Sequence, residues 1–98
     1  MKIISGTKKT YIFVLLENFS LLAFSSAIEP LRLANRMAQN EIFSWKLVSV
    51  EGHEVVCSNG TVIRCEDSLE ITPHKDDMIV LCGGTNIKKN ITKKLLSW

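Results

Sequence analysis

The stretch that decides the fold is Tyr11-Ile-Phe-Val-Leu-Leu16, then Glu17-Asn-Phe-Ser20, then apolar residues at Phe24, Ala27, Ile28, Leu31, Ala34, Met37 and Ala38. Six apolar residues in a row, rich in β-formers, suit a strand buried on both faces, as in a parallel sheet covered by helices. Ser20 is a good N-cap for a helix beginning at Leu21. From Leu21 to about Ala38 the three-to-four spacing predicts a helix with one broad apolar stripe. Its polar face carries Glu29, Arg32, Asn35, Arg36 and Gln39. Glu29 and Arg32 are spaced for an i,i+3 ion pair. Pro30 lies inside the pattern, and its missing N–H predicts a kink or a restart there.

Outward from this unit, Ser44-Trp-Lys-Leu-Val-Ser-Val50 alternates as a second strand, and Glu51-Gly52 turns the chain. Val55-Val-Cys57, Ser58-Asn-Gly60 and Thr61-Val-Ile63 read as a β-hairpin, with Asn-Gly as the turn because both residues tolerate positive φ. The acidic stretch from Glu66 to Asp77 reads as a loop with up to one helical turn. Met78-Ile-Val-Leu-Cys82 is a third buried-type strand, ended by Gly83-Gly-Thr-Asn86. From Ile87 to the end, Ile91, Leu95 and Leu96 recur at helical spacing. Strands alternating with a long helix imply a largely parallel sheet.

The bulk properties bound the function. With 98 residues, the chain holds one small domain. A net charge of +2 names no partner, and the lysines near each end are better read as a solvated helix face and a terminus than as a nucleic-acid patch. Three cysteines, an odd number with no C-x-x-C pair, are preceded by no secretory signal. No run approaches the roughly 18 apolar residues of a membrane span. These features predict a cytoplasmic protein with no membrane contact and with reduced, buried thiols. Cys57 and Cys65, flanking the Asn-Gly turn, are expected to face each other as a reduced cross-strand pair.

Few residues carry chemistry. Gly83-Gly84 comes directly after a buried strand, and ligands in open α/β sheets bind beyond the carboxyl ends of the strands. A glycine pair lets backbone approach a ligand closely, although on residue type alone a lone pair more often marks a tight turn. The chain has no phosphate-binding glycine motif and no nucleophile elbow. His53 and His74 have no metal-ligand spacing with the cysteines. No catalytic residue, metal or cofactor is implied.

One resemblance is specific. Phe19-Ser-Leu-Leu-Ala-Phe-Ser-Ser-Ala-Ile-Glu-Pro-Leu-Arg-Leu-Ala-Asn35 is similar to the first-helix signature of GlxA-type, AraC-family transcriptional regulators. Their N-terminal domain is related to PfpI proteases and class I glutamine amidotransferases. Trp45–Val50 with Glu51-Gly52, Ser58-Asn-Gly60, and Val80-Leu-Cys-Gly-Gly84 fit the later segments. The resemblance implies a flavodoxin-like three-layer sandwich, of which residues 1–98 are the first part of one domain, with a β-hairpin added. It implies that the enzymes' first-helix acid falls at Leu22 or Ala23 and is absent, and that the elbow and the DNA-binding helix-turn-helix region lie outside this chain. It therefore implies a non-catalytic, ligand-sensing domain that takes a small nitrogenous metabolite as effector. The ligand-binding residues would be Asn18, Phe19, Ser20, Gly83, Gly84 and Thr85. A hydrolase or glyoxalase-like enzyme, or a module that assembles as a homo-oligomer through an unfinished sheet face, are the competing readings.

Overall fold

A computed structural model describes residues 8–84 and 91–98. The uninterrupted apolar run becomes β1, Lys9–Leu15, the middle strand of a three-stranded sheet. β2, Phe43–Val48, pairs with it in parallel on one side, and Phe13 lies opposite Leu47. On the other side runs a strand that we number β5, Met78–Cys82, also parallel, with Phe13 opposite Val80. The order is therefore β2-β1-β5.

Alternation along β1 feeds two cores. Phe13 and Leu15 point into a cluster with Phe24 and Leu31 of the helix α1, Leu21–Ala38. Ile12, Val14 and Leu16 point the other way, onto Val48 and Leu69, with Ile91, Leu95 and Trp98 packed against them. These β1 side chains are essentially inaccessible to water, and each full burial contributes about 1.5–3 kcal/mol. A four-residue helix, α2 (Lys93–Leu96), belongs to the second layer, which Trp98 fastens by donating its indole N–H to the Ile71 carbonyl, 3.0 Å away.

Helix α1 starts where its cap residue predicts, with Ser20 Oγ accepting from the Ala23 N–H at 3.1 Å. The expected restart at Pro30 does not occur. α1 is unbroken from Leu21 to Ala38. Pro30 and Ser26, whose carbonyl it deprives of a donor, are both exposed, so water takes the lost hydrogen bond. Arg32 forms the i,i+3 pair, with Nε donating to Glu29 Oε2 at 2.7 Å and Nη2 to Oε1 at 3.2 Å. This hydrogen bond, more than its charge, holds the Glu29 carboxyl below its ordinary range. The helix ends at Gln39, in the left-handed region at φ 53°. Asn35 then ties the helix to β2: its Oδ1 accepts from the Ile42 and Phe43 N–H groups, and its Nδ2 donates to the Phe43 carbonyl.

The hairpin forms a separate two-stranded sheet, β3 (His53–Val56) with β4 (Val62–Cys65). Two expectations fail here. Only Gly60 takes positive φ, at 91°, whereas Asn59 does not. Asn59 acts through its side chain, accepting from the Thr61 N–H at 2.9 Å and the Cys57 thiol at 2.8 Å. The register also places Cys65 opposite His53, and the Cys57 N–H on the Thr61 carbonyl. Cys57 and Cys65 therefore sit at opposite ends of the hairpin and do not face each other. A hairpin turning at Asn59-Gly60 pairs Cys57 with Thr61 or Val62, so a loop of either length leaves it far from Cys65. Residues 66–77 contain turns and bends but no helix.

At the sheet's β5 side, Ile79 and Leu81 are 45% and 46% exposed, although their β1 partners Ile12 and Val14 are fully covered. Among the described residues, no helix is long and apolar enough to cross a membrane.

Candidate functional site

The chain leaving β1 is held on one side and open on the other. Asn18 reverses it with φ 64° and donates its N–H to the Val56 carbonyl at 2.8 Å. The Phe19 N–H bonds the Leu16 carbonyl, and the Phe19 carbonyl accepts from the Ser58 N–H at 2.9 Å. The Ser20 N–H donates to the Gly83 carbonyl at 3.0 Å. Phe19 thus bridges Cys57 on one side and Gly84 on the other. Its ring is fully buried, edge-on to Phe24 at 5.9 Å between centroids.

Gly84 is required by this closure. A Cβ there would lie 2.3 Å from the Asn18 carbonyl oxygen and 3.1 Å from the Ser20 nitrogen. Asn18, Phe19, Ser20, Gly83 and Gly84 are therefore brought together, bonded to one another through the main chain. Thr85, the sixth residue expected at the site, lies outside the described residues.

The other side of the same loop is open. A cavity of about 260 Å³ lies beyond the carboxyl ends of β1 and β2, roofed by β3. Leu15, Leu16, Val50 and Val55 form its apolar walls. Glu17, Glu51 and Glu54 also line it. Glu51 stands 3.5 Å from Lys94 and is largely exposed. Ser49, one residue past β2, lines the cavity too. It is only 5% exposed, and its hydroxyl has no hydrogen-bond partner. Such an orphan is uncommon in a folded protein. Sequence reading missed Ser49 and Glu54, which belong to no motif. The rule that ligands gather past the carboxyl ends of strands applies to Ser49-Val50-Glu51 as directly as to Gly83-Gly84.

Nucleophilic chemistry has little support at either place. Burial pushes the Cys82 thiol up to about 11. It does the same to Cys65, and the nearby Ser49 hydroxyl only partly opposes it, without reaching hydrogen-bond geometry. A protonated thiol is a poor nucleophile. The first turn of α1 contains no acid, and Leu22 there is 78% exposed. Among the described residues, no group of three His, Cys, Asp or Glu could hold a metal ion.

No protein-family model matches the chain. Individual proteins do. It is 38% identical over 82 residues to the HTH-type transcriptional regulator GbdR of Pseudomonas aeruginosa, covering 84% of this chain and 22% of that protein. It is 35% identical over 86 residues to the regulator CdhR of the same species, covering 88% of this chain and 25% of CdhR. The regulator GlxA of Rhizobium meliloti is 33% identical over 72 residues, or 74% of this chain and 22% of GlxA. By sequence, the chain belongs to the GlxA-type, AraC-family regulators. It spans about a quarter or less of the length of these curated relatives. Among solved structures, an AraC-family transcriptional regulator from Pseudomonas putida superposes with a TM-score of 0.69 at 26% identity, covering 80% of this chain and 48% of that one. A DJ-1 superfamily protein from Agrobacterium tumefaciens superposes at 0.60 with 16% identity, over 91% of this chain and 48% of that one. The second likeness shows the flavodoxin-like fold alone.

Proposed function

We propose that this chain is the non-catalytic, effector-sensing part of a transcriptional regulator. Its effector is a small nitrogenous metabolite, held at the carboxyl end of the sheet beside the frame made by Asn18, Phe19, Ser20, Gly83 and Gly84. DNA is contacted by another part of the whole protein. The observation that carries the non-catalytic reading is the closure between Ser20 and Gly83: the turn that would stabilise an oxyanion in an enzyme lies against the loop after β1. The raised thiols and the missing acid in the first turn of α1 support it. Membership of a family of regulators supports the regulatory role.

Calorimetry of the full chain against amino acids and small amines tests the reading. Saturable binding of at least one compound is expected, with a rise in melting temperature that grows with ligand concentration. Turnover of a small aldehyde or amide substrate by the chain, abolished by Cys82→Ser, would overturn it in favour of an enzyme.

A further inference from the structure

Helix α1 carries two apolar stripes, and only one of them meets the core. Phe24 and Leu31, with Leu21, Ala27 and Ile28 beside them, face the sheet. Leu22, Ser26, Leu33 and Met37 lie on the opposite side, where a helical turn of about 100° per residue gathers them within about 60° of arc. Met37, expected in the core stripe, is 85% exposed, Leu22 is 78% exposed and Leu33 45%. Ser26 is exposed as well. Large apolar side chains grouped on one face mark a contact surface, which scattered ones do not. Their spacing says what the contact is. Leu22 to Ser26 is four residues, Ser26 to Leu33 is seven, and Leu33 to Met37 is four. That order reads the same in both directions. The stripe is therefore complementary to an antiparallel copy of itself, as an isologous two-fold interface requires. The two-fold axis falls between Glu29 and Pro30, and it sets Leu22 against Met37 and Leu33 against the small Ser26.

We infer that α1 pairs with α1 of a second copy of this chain, antiparallel, through this outward stripe. Leu33 of each copy fills the notch at Ser26 of the other, ridge into groove. Charge is complementary too. The Glu29–Arg32 ion pair runs along one edge of the stripe, and reversing the helix direction brings each guanidinium beside the other copy's carboxylate. The two helix dipoles also oppose each other, which favours antiparallel pairing. An 18-residue helix is about 27 Å long. One such helix against another buries less than the roughly 1,600 Å² of a standard interface, so the dimer is weak and reversible. The pairing is independent of effector sensing, because it uses no residue of the junction or of the cavity.

Sedimentation equilibrium of the full chain, from about 10 µM to about 1 mM, is the test. A monomer–dimer equilibrium with a Kd on the order of 100 µM is expected. Leu22→Glu and Met37→Lys each put one charge on an exposed position, with the sign that suits its end of the helix, so neither should lower the melting temperature of the dilute chain. Each should nevertheless weaken the dimer at least about ten-fold, by setting an unpaired charge in an apolar contact. The double variant sets the new acid of one copy against the new base of the other and should recover most of the association. Within one helix the two positions are about 22 Å apart, so only the antiparallel pair can give that recovery. Ser26→Gln, which fills the notch and removes no apolar residue, should also weaken the dimer. A chain that stays monomeric to about 1 mM would overturn the inference. A dimer that both single variants leave intact, or a double variant no better than either single one, would do the same. A dimer broken by Ile79→Glu and by neither helix variant would move the contact to β5 and overturn it as well.

Discussion

The two sides of the loop after β1 make opposite use of the same few residues. Toward β5, main-chain hydrogen bonds and a missing Cβ bring backbone against backbone, and no room is left. Toward β2, the loop and the strand end stand apart beneath the hairpin and enclose a cavity of about 260 Å³. A glycine pair at a strand end is ambiguous, because close approach serves a ligand and a neighbouring chain segment equally well. Here the neighbour occupies the space, and the room for a ligand lies one strand away.

The largest effect should come from breaking the closed side. Gly84→Ala forces a Cβ into the Asn18 carbonyl, and the obstacle is backbone, which cannot rotate away. A loss of about 3 kcal/mol or more in urea unfolding is expected. Glu54→Gln on the open side should change stability by less than about 0.5 kcal/mol. Similar losses for the two would refute the contrast.

A smaller effect should result from Ser20→Ala. The hydroxyl caps α1, but the Ser20 N–H that bonds Gly83 survives the substitution. A loss of about 1 kcal/mol is expected. A loss as large as that of Gly84→Ala would mean that the cap, and not the backbone contact, holds the closure.

The mildest probe is alkaline pH, which reads one thiol on each side. Cys82 ends β5 on the closed side, and Cys65 lies on the hairpin near Ser49. Burial raises both to about 11, from an ordinary value of 9.0. Above pH 9 the unfolded chain loses these protons first, so stability should be level below pH 9, fall between 9 and 11, and flatten beyond. Cys82→Ser and Cys65→Ser should each remove part of that slope. An unchanged slope in either variant would show that its thiol is not shielded as described.

Much of the scaffold was legible from the sequence. The apolar run of β1 and the α1 stripe appear with nearly their predicted bounds, because burial on both faces or along one stripe leaves its mark on the sequence; β5 has its predicted bounds but not the predicted burial, since Met78, Ile79 and Leu81 are exposed. The family signature was equally legible, including the Glu29–Arg32 pair. The hairpin and its turn were legible too, but the facing of Cys57 and Cys65 did not follow from them: a turn at Asn59-Gly60 leaves Cys57 beside Thr61 and sets Cys65 opposite His53. Asn35 read as one more polar helix residue, yet it makes three hydrogen bonds to the start of β2. Pro30 read as a kink or a restart, and the helix does not restart there, because that side of it faces water. The residues expected at the site, Asn18 to Ser20 with Gly83 and Gly84, lie together at the junction, while the cavity is lined by residues such as Val50 and Glu54 that belong to no motif.

Phe19 carries one more implication. Its main chain spans the gap between Cys57 of the hairpin loop and Gly84 at the end of β5, two points 27 residues apart in sequence and otherwise in separate sheets. It works as a strut, with its ring anchored in the core and an arm to each side. The hairpin loop and the end of β5 are thereby tied to each other through one residue. A side chain sealed in the core thus fixes, through its own main chain, where two otherwise separate sheets meet.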